Sequence, residues 1–324
     1  MASELVLVAL GGTISMRVVD GLAVPAIGAA DLVALAGIDA RAVDVARIGG
    51  PQIDFPLLVR LERTLRELEA GGAAGAIVTL GTDAIEEVAA FVAYTGPWRL
   101  PIALTGAMAP GAEPGSDAPA NLRDAAAVVR AATLTEPVVV FAGQVFLAHA
   151  VVKVSGLDRE AFTAPSGPAW TVSDATVARG LPLASAPPTV LGAPGAESPE
   201  VPIVVSALSS GESDWLQVRS LPPAAVFVSA GAGNLTTGVA RFAEQLLAGG
   251  SVAAIATRAL DSQVAPLYGY GGGSGQLAAE GAVLAEGMTA HRLRMFLLVA
   301  LSQGLRGAEL RETLLEHVRS LRPR

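Results

Sequence analysis

The chain has 324 residues, of which 52% are hydrophobic and 16% are charged, and its formal net charge is −8. This length predicts about two domains, and the apolar content is ample for a large buried core. The acidic charge disfavours nucleic acids and anionic membranes as partners, and the lack of cysteine excludes disulfides, thiolate nucleophiles and cysteine-ligated metal sites.

The apolar segments of the chain are too short to cross a membrane. Glycine and proline interrupt every long apolar run, and no stretch reaches the roughly 18–20 residues that a spanning helix needs. The first ten residues contain no cationic segment, and their apolar run at 5–10 is shorter than the core of a signal peptide. We therefore expect a soluble, cytoplasmic protein.

The first half of the sequence predicts strands that alternate with helices. Continuous apolar runs indicate buried strands, at residues 5–10, 76–80, 101–104 and 137–141. Apolar residues at helical spacing indicate helices, at residues 57–69, 85–92 and 116–130. Asp83, with Glu86 three residues later, resembles a capping box for the second of these helices. Buried strands alternating with helices predict a parallel sheet with helices on both faces.

A segment rich in proline, glycine and alanine separates the two halves of the chain. Residues 183–202 have this composition, which is typical of an interdomain linker. Beyond it, strands are predicted at 203–206, 225–229 and 252–257, and helices at 237–247, 289–303 and 308–321. We therefore predict an α/β protein with three parts: an N-terminal domain at 1–185 that carries the parallel sheet and two candidate threonines described below, a linker at 186–201, and a smaller α/β domain at 202–324.

One basic residue differs from all the others. Lys153 is the only lysine among the 22 lysines and arginines of the chain. Arginine keeps its proton in a protein, whereas a lysine shielded from solvent can have its pKa lowered and take part in proton transfer. The lone lysine is therefore a candidate catalytic residue, and the alternative is a surface residue that is present by chance.

Small and hydroxyl residues follow three of the predicted strands. Gly12-Thr13 follows the first strand, Gly81-Thr82-Asp83 follows the second, and Thr105-Gly106 follows the third. Ligands of an open parallel sheet bind at the carboxyl ends of its strands, where glycines leave backbone N–H groups free to bind an oxyanion. A threonine hydroxyl is a weak nucleophile that needs a base, and Lys153, oriented by Asp83, would supply that base to Thr82. The alternative interpretation of these residues is that they are helix caps or turn residues.

The other motifs in the chain are weak. The glycines at 231, 233 and 238 follow a strand, as in a dinucleotide-binding loop, but their spacing departs from that motif and favours a tight turn. The three histidines lack metal-ligand spacing, so we expect structural or exposed side chains and no metal site at His149, His291 and His317.

Several short motifs occur in an order that is typical of one family. They are Gly11-Gly12-Thr13-Ile14, Gly81-Thr82-Asp83-Ala84-Ile85-Glu86-Glu87, Gly106-Ala107-Met108, Ser116-Asp117-Ala118-Pro119-Ala120-Asn121-Leu122, Lys153 with Gly167-Pro168 downstream, and Ser229-Ala230-Gly231-Ala232-Gly233-Asn234. Each motif is short, but their order over nearly the whole chain is highly specific. The sequence resembles the bacterial-type L-asparaginase/glutaminase family.

The resemblance implies a role for each candidate residue. The two active threonines of the family fall on Thr13 and Thr82, and its catalytic lysine falls on Lys153. The family's aspartate falls on Asp83, where it joins the second threonine and the lysine in a proton relay and also binds the α-ammonium group of the substrate. Substrate contacts are implied at four small residues, Gly12, Gly50, Gly81 and Ala107.

The resemblance also implies a reaction and an assembly. A hydrolase of amino-acid metabolism would convert L-asparagine to L-aspartate and ammonia through a threonine acyl-enzyme, with L-glutamine as a second candidate substrate. The family needs no cofactor, so we expect none here. It forms homotetramers built from intimate dimers, and we expect a homotetramer or such a dimer.

The chain departs from the family pattern at three positions. The family has a tyrosine in the lid after its first strand, a serine that holds the substrate α-carboxylate, and a histidine before the Gly-Thr-Asp motif; this chain has Leu22, Gly50 and Leu80 there. Loss of the tyrosine removes an acid–base partner worth about 10²–10⁴-fold in rate. Two alternatives therefore stay open, namely an asparaginase-like ligand-binding protein without turnover and an amidase with a different amide substrate.

Overall fold

A computed structural model of the chain describes residues 4–131, 134, 136–173, 176–179, 189–211, 220–259 and 262–321. The chain divides into two units, Met1–Leu183 and Ala184–Arg324. The predicted linker at 186–201 includes residues 186–188, which lie outside the described part of the chain, and the domain bounds of 1–185 and 202–324 stay predictions. Among the described residues, no helix combines the length and the apolar character needed to cross a bilayer.

The first unit contains twelve strands and four helices within its described residues. In chain order the strands are β1 (Leu5–Gly11), β2 (Met16–Val19), β3 (Leu22–Pro25), β4 (Arg41–Ile48), β5 (Gly75–Thr79), β6 (Ile102–Thr105), β7 (Val138–Phe141), β8 (Gln144–Leu147), β9 (Val152–Lys153), β10 (Phe162–Thr163), β11 (Trp170–Ser173) and β12 (Thr176–Arg179). The helices are α1 (Ala29–Ala36), α2 (Phe55–Ala70), α3 (Ile85–Tyr94) and α4 (Ala118–Ala131).

Eight of these strands form one sheet, in the order β12-β11-β8-β7-β6-β5-β1-β4. Parallel pairing joins five neighbouring strands, in the order β4-β1-β5-β6-β7. At the other edge, antiparallel pairing joins β8, β11 and β12 to the sheet. The predicted α/β fold is confirmed by these five parallel strands. The antiparallel edge is an addition that the sequence patterns do not predict.

Helices cover both faces of this sheet, as predicted. Helices α1 and α4 pack on one face, where Leu32 and Leu122 join Leu7 of β1 in a buried apolar cluster. Helices α2 and α3 pack on the other face, and Phe55 of α2 meets Phe91 of α3 edge-on, with ring centroids 6.1 Å apart. Burial on both faces fixes the parallel strands side by side, so the loops at their carboxyl ends share one edge.

Helix α3 begins differently from the prediction. It starts at Ile85 after a 3₁₀ turn at Thr82–Ala84, and the N-cap residue Ala84 makes no side-chain hydrogen bond to the helix. The predicted capping box at Asp83 is therefore wrong. The physical reason is that the Asp83 carboxylate accepts a hydrogen bond from Lys153, which lies far along the chain.

The second unit has a smaller sheet. Its described strands are all parallel and pair in the order β13 (Ile203–Val205), β14 (Ala224–Ser229), β15 (Val252–Thr257) and β16 (Val283–Leu284). Its helices are α5 (Thr237–Ala248), α6 (Ser274–Ala279), α7 (Ala290–Ser302) and α8 (Gly307–Ser320). The predicted smaller α/β fold is confirmed. Residues 230–234 form the expected tight turn, closed by reciprocal backbone hydrogen bonds between Ala230 and Asn234.

Candidate active site

Three glycines bring the loops after β1, β4 and β5 into backbone contact. A Cβ atom added to Gly12 would overlap the backbone of Gly81, and the φ of +80° at Gly12 also favours glycine. A Cβ atom added to Gly81 would lie 2.9 Å from the Cα atom of Gly50. The structure therefore places these three candidate substrate-binding residues at one junction, where the backbone itself forms the surface.

The two candidate threonines follow directly on this junction. Thr13 comes after Gly12 and begins the 3₁₀ turn Thr13–Ser15, and Thr82 comes after Gly81 and begins the 3₁₀ turn Thr82–Ala84. Thr82 is buried and Thr13 is half-buried. Because Gly12 and Gly81 are in contact, both threonines enter the site from the same place at the carboxyl edge of the sheet.

Lys153 reaches Thr82 and Asp83 from a distant part of the chain. Its Nζ atom donates hydrogen bonds to Thr82 Oγ1 at 2.8 Å and to Asp83 Oδ1 at 2.6 Å. The lysine side chain is 16% exposed, whereas the aspartate side chain is 72% exposed. The amine is therefore held between a buried hydroxyl and a carboxylate that faces solvent.

A short hairpin fixes the position of Lys153. In this hairpin, formed by β9 and β10, Lys153 pairs with Phe162. The Phe162 ring packs edge-on against Phe141 at the end of β7, with ring centroids 4.9 Å apart, and both rings are buried. This apolar anchor ties the hairpin to the carboxyl edge of the sheet, so the amine next to it reaches the loop after β5.

The contacts of Lys153 suit proton transfer. Nζ lies within hydrogen-bond distance of both oxygens and donates to each of them. In its neutral form, the same nitrogen can accept the proton of the Thr82 hydroxyl, and the Thr82 oxygen can in turn accept a proton from a hydroxyl group or water molecule beside it. The carboxylate of Asp83 orients the amine through a charge-assisted hydrogen bond.

The other residues that the sequence singles out differ in their exposure. Ala107 is fully buried, in the apolar cluster that contains Ile14, so its contact with a substrate amide stays a prediction. Leu22 lies on the exposed hairpin of β2 and β3 and is 70% exposed. Gly50 is buried but has room, because an added Cβ would meet the Ala84 Cβ at 3.6 Å, an ordinary contact distance.

The histidines occupy structural or surface positions, as expected. His149 is buried, with its Nδ1 atom 2.6 Å from Glu136 Oε2, and the buried ring of His317 stacks on Phe296 with centroids 4.5 Å apart. His291 is exposed. Within the described part of the chain, no three acidic or histidine side chains are grouped so that they could hold a metal ion.

Two buried polar residues bind the loop after β6 at the carboxyl edge of the sheet, although the sequence patterns assign them no role. One lies just before α4 and the other lies within it. Asp117 and Asn121 are buried polar residues that hydrogen-bond to the loop after β6. A signal was present in the sequence, because Asn121 lies on a helix face that is otherwise apolar, with Ala118, Leu122 and Ala125. A buried polar residue on such a face needs a partner, and here the partner is a loop of the site.

Comparison with known protein families gives two matches. The family described as "Asparaginase, N-terminal" matches residues 4–179, and the family described as "Glutaminase/Asparaginase C-terminal domain" matches residues 215–314. Together the two matches include every candidate residue of the first unit and most of the second unit.

Individual proteins agree with these matches. The chain is 29% identical to a probable L-asparaginase of Deinococcus radiodurans, over 97% of this chain and 98% of that protein. It is also 29% identical to an L-asparaginase of Bacillus licheniformis, over 93% of this chain and 96% of that protein. The fold matches the crystal structure of a probable cytoplasmic L-asparaginase from Campylobacter jejuni, with a TM-score of 0.83 and 23% identity over 98% of this chain and 99% of that one.

Proposed function

The chain belongs to the asparaginase family, and on that premise we propose that it hydrolyses the side-chain amide of L-asparagine to give L-aspartate and ammonia. The observation that carries this proposal is the pair of hydrogen bonds from Lys153 to Thr82 and Asp83. It supplies a hydroxyl, a base and an orienting carboxylate at the edge where ligands of a parallel sheet bind.

Thr13 is the nucleophile in this proposal. As its Oγ1 atom attacks the amide carbon, the Thr13 proton passes through the Thr82 hydroxyl to the neutral amine of Lys153. The oxyanion that forms accepts hydrogen bonds from backbone N–H groups beside the glycine junction, other than the Gly12 N–H, which donates to the Ile48 carbonyl. The proton on Lys153 is delivered to the amide nitrogen, the C–N bond breaks, and ammonia leaves an ester on Thr13. Water attacks this ester, one of its protons passes through Thr82 to Lys153, and that proton returns to Thr13 Oγ1 as the ester C–O bond breaks and L-aspartate is released.

Asp83 has two roles in this proposal. One carboxylate oxygen holds Lys153 at 2.6 Å. The side chain is 72% exposed, so the carboxylate can also accept a hydrogen bond from the α-ammonium group of the substrate. The lid tyrosine of the family is replaced by Leu22, and the contacts of Lys153 therefore carry more of the proton transfer.

Ammonia release from L-asparagine and L-glutamine tests the proposal. The double variant Thr82→Ala, Lys153→Ala is expected to lose about 10²–10⁴-fold in rate, because it lacks both the hydroxyl and the base. Thr64→Ala, which removes a hydroxyl that binds a backbone carbonyl within α2, is the control and is expected to keep wild-type activity. Equal ammonia release by wild type and the double variant would exclude this reaction.

A second candidate function is an amidase for an amide without the α-carboxylate of asparagine. The supporting observation is that residue 50 is a glycine, which offers a backbone N–H but no hydroxyl to a substrate carboxylate. Lack of space does not explain the glycine, because an added Cβ would meet its neighbours at 3.5–3.6 Å, which are ordinary contact distances. A panel of amides and of D- and L-isomers separates the two functions. Calorimetry that detects L-aspartate or L-asparagine binding without turnover would favour a ligand-binding protein instead.

Gly50→Ser sharpens the choice of substrate. The added hydroxyl can donate to a substrate carboxylate, and a hydrogen bond to a charged group is worth about 1.5–3 kcal/mol. We therefore expect KM for L-asparagine to fall by about 10-fold or more, with Gly50→Ala as the control for the added Cβ. If Gly50→Ser and Gly50→Ala have the same KM, the carboxylate does not bind beside residue 50.

We also propose a cytoplasmic homotetramer built from intimate dimers, or such a dimer. The support for the assembly is the family resemblance, since the sites of the family are closed by a neighbouring chain. Light scattering of the purified protein at several concentrations is expected to give four or two times the chain mass of 32.6 kDa. A monomer that hydrolyses L-asparagine would contradict the assembly and leave the reaction in place.

A further inference from the structure

Asp117 accepts hydrogen bonds through both carboxylate oxygens. Its Oδ2 atom accepts from the Met108 N–H at 3.0 Å and from Asn121 Nδ2 at 3.1 Å, and its Oδ1 atom accepts from the Ala109 N–H at 3.0 Å. The residue is only 7% exposed. A carboxylate with this many N–H donors fixes the backbone of residues 108–109 more firmly than a neutral side chain would.

Asn121 extends the same hydrogen-bond network to two loops. Its Nδ2 atom donates to the Gly106 carbonyl at 3.0 Å, and its Oδ1 atom accepts from the Ala142 N–H at 3.0 Å. Asn121 is 2% exposed. The side chain therefore joins the loop after β6 to the turn after β7, where Ala142 has a φ of +49°, a strained value for a residue other than glycine.

The braced loop lies directly against Thr82. A Cβ atom added to Gly106 would lie 3.3 Å from Thr82 Cγ2 and 2.7 Å from the Leu80 carbonyl oxygen. Movement of Gly106 by a fraction of an ångström therefore changes the space available to the Thr82 side chain. Thr82 Oγ1 is the atom that Lys153 binds, so the network acts on that contact through the packing of the loop.

We propose that Asp117 and Asn121 are positioning residues for the amide hydrolysis. They hold the loop at residues 106–109 so that Thr82 keeps the geometry in which its hydroxyl binds Lys153. Neither residue donates or accepts a proton in the reaction. The inference rests on the proposed function, because it assigns a structural cause to the rate of that reaction.

A similar carboxylate at the other end of β6 provides a matched control. Glu69 Oε1 accepts hydrogen bonds from the N–H groups of Arg99 and Leu100, which precede β6 just as Met108 and Ala109 follow it. Glu69→Gln and Asp117→Asn make the same change from carboxylate to amide. The first acts far from Thr82, and the second acts on the loop that touches it.

The two amide variants differ in the hydrogen bonds that they keep. Both oxygens of Asp117 face backbone N–H donors. In Asp117→Asn an NH₂ group replaces one of these oxygens, so the variant loses the bond from either the Met108 N–H or the Ala109 N–H, whichever orientation the amide takes. In Glu69→Gln the remaining oxygen can keep both backbone donors, and the bond from Arg66 to Oε2 is lost. Only Asp117→Asn therefore releases backbone at the site.

Steady-state kinetics and hydrogen exchange test the inference together. We expect Asp117→Asn to lower kcat for L-asparagine by about 10- to 100-fold with KM changed by less than about 3-fold, because small displacements of catalytic groups have effects of this size. We expect faster exchange of the Met108 and Ala109 amides in this variant without substrate. Glu69→Gln is expected to change neither readout, with both variants assayed below their melting temperatures.

A milder variant covers the case in which Asp117→Asn fails to fold. Ser116 Oγ donates to the Ala109 carbonyl at 3.3 Å and accepts from the Ala118 N–H at 3.2 Å, so Ser116→Ala removes one neutral bond to the same loop and one at the start of α4. We expect a fall in kcat of about 2- to 5-fold, in line with a net hydrogen bond of modest strength. An unchanged kcat in Ser116→Ala together with an unfolded Asp117→Asn would overturn the inference.

The outcomes separate the inference from the proposed function. An active wild type in which Asp117→Asn and Glu69→Gln have equal kcat values would overturn the positioning role and leave the reaction in place. Faster exchange at residues 108–109 with wild-type kcat would also overturn it, since the loop would then move without consequence. A wild type that releases no ammonia would overturn both.

Discussion

Two groups of charged and polar residues hold the two ends of strand β6. At the amino end, Glu69 binds the N–H groups of Arg99 and Leu100. At the carboxyl end, Asp117 binds the N–H groups of Met108 and Ala109. The two carboxylates make similar hydrogen bonds to the backbone, so any difference between the roles of the two ends must come from the residues that surround each carboxylate.

The amino end is a closed cluster of large side chains. Arg66 donates to Glu62 at 3.0 Å and to Glu69 at 3.1 Å, and its guanidinium lies 3.7 Å from the centroid of the Trp98 ring. It also donates to the backbone carbonyls of Thr95 and Pro97. These contacts give the Arg66 guanidinium partners on several sides, which is typical of a region that contributes stability.

The carboxyl end is built from small residues that leave the backbone and a few functional groups open. Glycines meet there without side chains, and the Asp83 carboxylate stays 72% exposed beside Lys153. Glycines at such an edge let a ligand approach the backbone closely. The comparison teaches that similar carboxylate-to-loop bonds belong to a closed ion-pair cluster at one end of β6 and lie beside the exposed candidate site at the other.

Lys153→Arg tests the functional end and has the largest expected effect. Arginine keeps the positive charge beside Asp83 but does not give up a proton at ordinary pH. If Lys153 transfers protons, kcat falls by about 10²–10⁴-fold while the free energy of unfolding changes by less than about 1 kcal/mol. Ammonia release and urea unfolding measure the two quantities.

The reciprocal exchange controls for a change of cation near the site. Arg159→Lys, at an exposed residue a few positions along the same segment, is expected to keep activity within about 2-fold, as most surface substitutions do. Retention of more than about a tenth of the activity by Lys153→Arg would show that charge alone, and not proton transfer, is needed at this position.

Arg66→Ala tests the structural end. The substitution leaves the Glu62 side chain, which is 8% exposed, without its cation, and loss of one partner of a buried ion pair costs about 3–5 kcal/mol. Because the Arg66 side chain is 30% exposed, we expect about 2–3 kcal/mol less stability in urea unfolding. The kcat measured below the melting temperature is expected to stay at the wild-type value.

A neighbour on α2 provides the control for this variant. Arg63 is exposed, and Arg63→Ala is expected to change the free energy of unfolding by less than about 0.5 kcal/mol. If Arg66→Ala lowers kcat below the wild-type value, while Arg63→Ala does not, the two ends of β6 are coupled and the comparison between them fails.

The main strands of the parallel sheet could be predicted because burial on both faces requires continuous apolar runs. Strand β4, Arg41–Ile48, escaped prediction because it is an edge strand whose charged residues interrupt its apolar pattern. The hairpin of β2 and β3 is largely exposed, so no burial pattern marks it. Apolar patterns in a sequence indicate burial, whereas β4 and the hairpin of β2 and β3 are defined by backbone pairing with a neighbouring strand.

The candidate site could be predicted in part. The position of Lys153 beside Thr82 depends on a hairpin with strands of two residues each, which carry no periodic pattern. The single lysine in the composition and the family resemblance mark Lys153 as a candidate, whereas the local sequence pattern around it carries no such signal. The capping box that local spacing predicts at Asp83 is wrong for the same reason, since the partner of this carboxylate lies 70 residues away. Asn121 carried a visible signal as a polar residue on an apolar helix face.

The pH dependence of stability gives the smallest expected effect and sharpens the account of Glu69. Burial alone would raise the pKa of the Glu69 carboxyl, but the N–H groups of Arg99 and Leu100, together with Arg66, hold it below its ordinary value of 4.5. A lowered pKa in the folded state stabilises the fold above the ordinary pKa, and this contribution is lost as the pH falls through the lowered value. The stability difference between wild type and Glu69→Gln is therefore expected to be constant above about pH 5 and to shrink at lower pH.

Asp124 of α4 provides a control with the opposite sign. Burial raises the pKa of its carboxyl above the ordinary value of 3.8, and Arg123 offsets only part of that effect. A raised pKa in the folded state stabilises the fold at low pH, and this contribution is lost as the pH rises through the raised value. The free energy of unfolding of wild type is therefore expected to fall, relative to that of Asp124→Asn, as the pH rises. Urea unfolding at intervals between about pH 3 and pH 7 is therefore expected to give opposite slopes for the two variants. Parallel slopes would mean that the hydrogen bonds at the amino end of β6 do not stabilise the ionised form of Glu69.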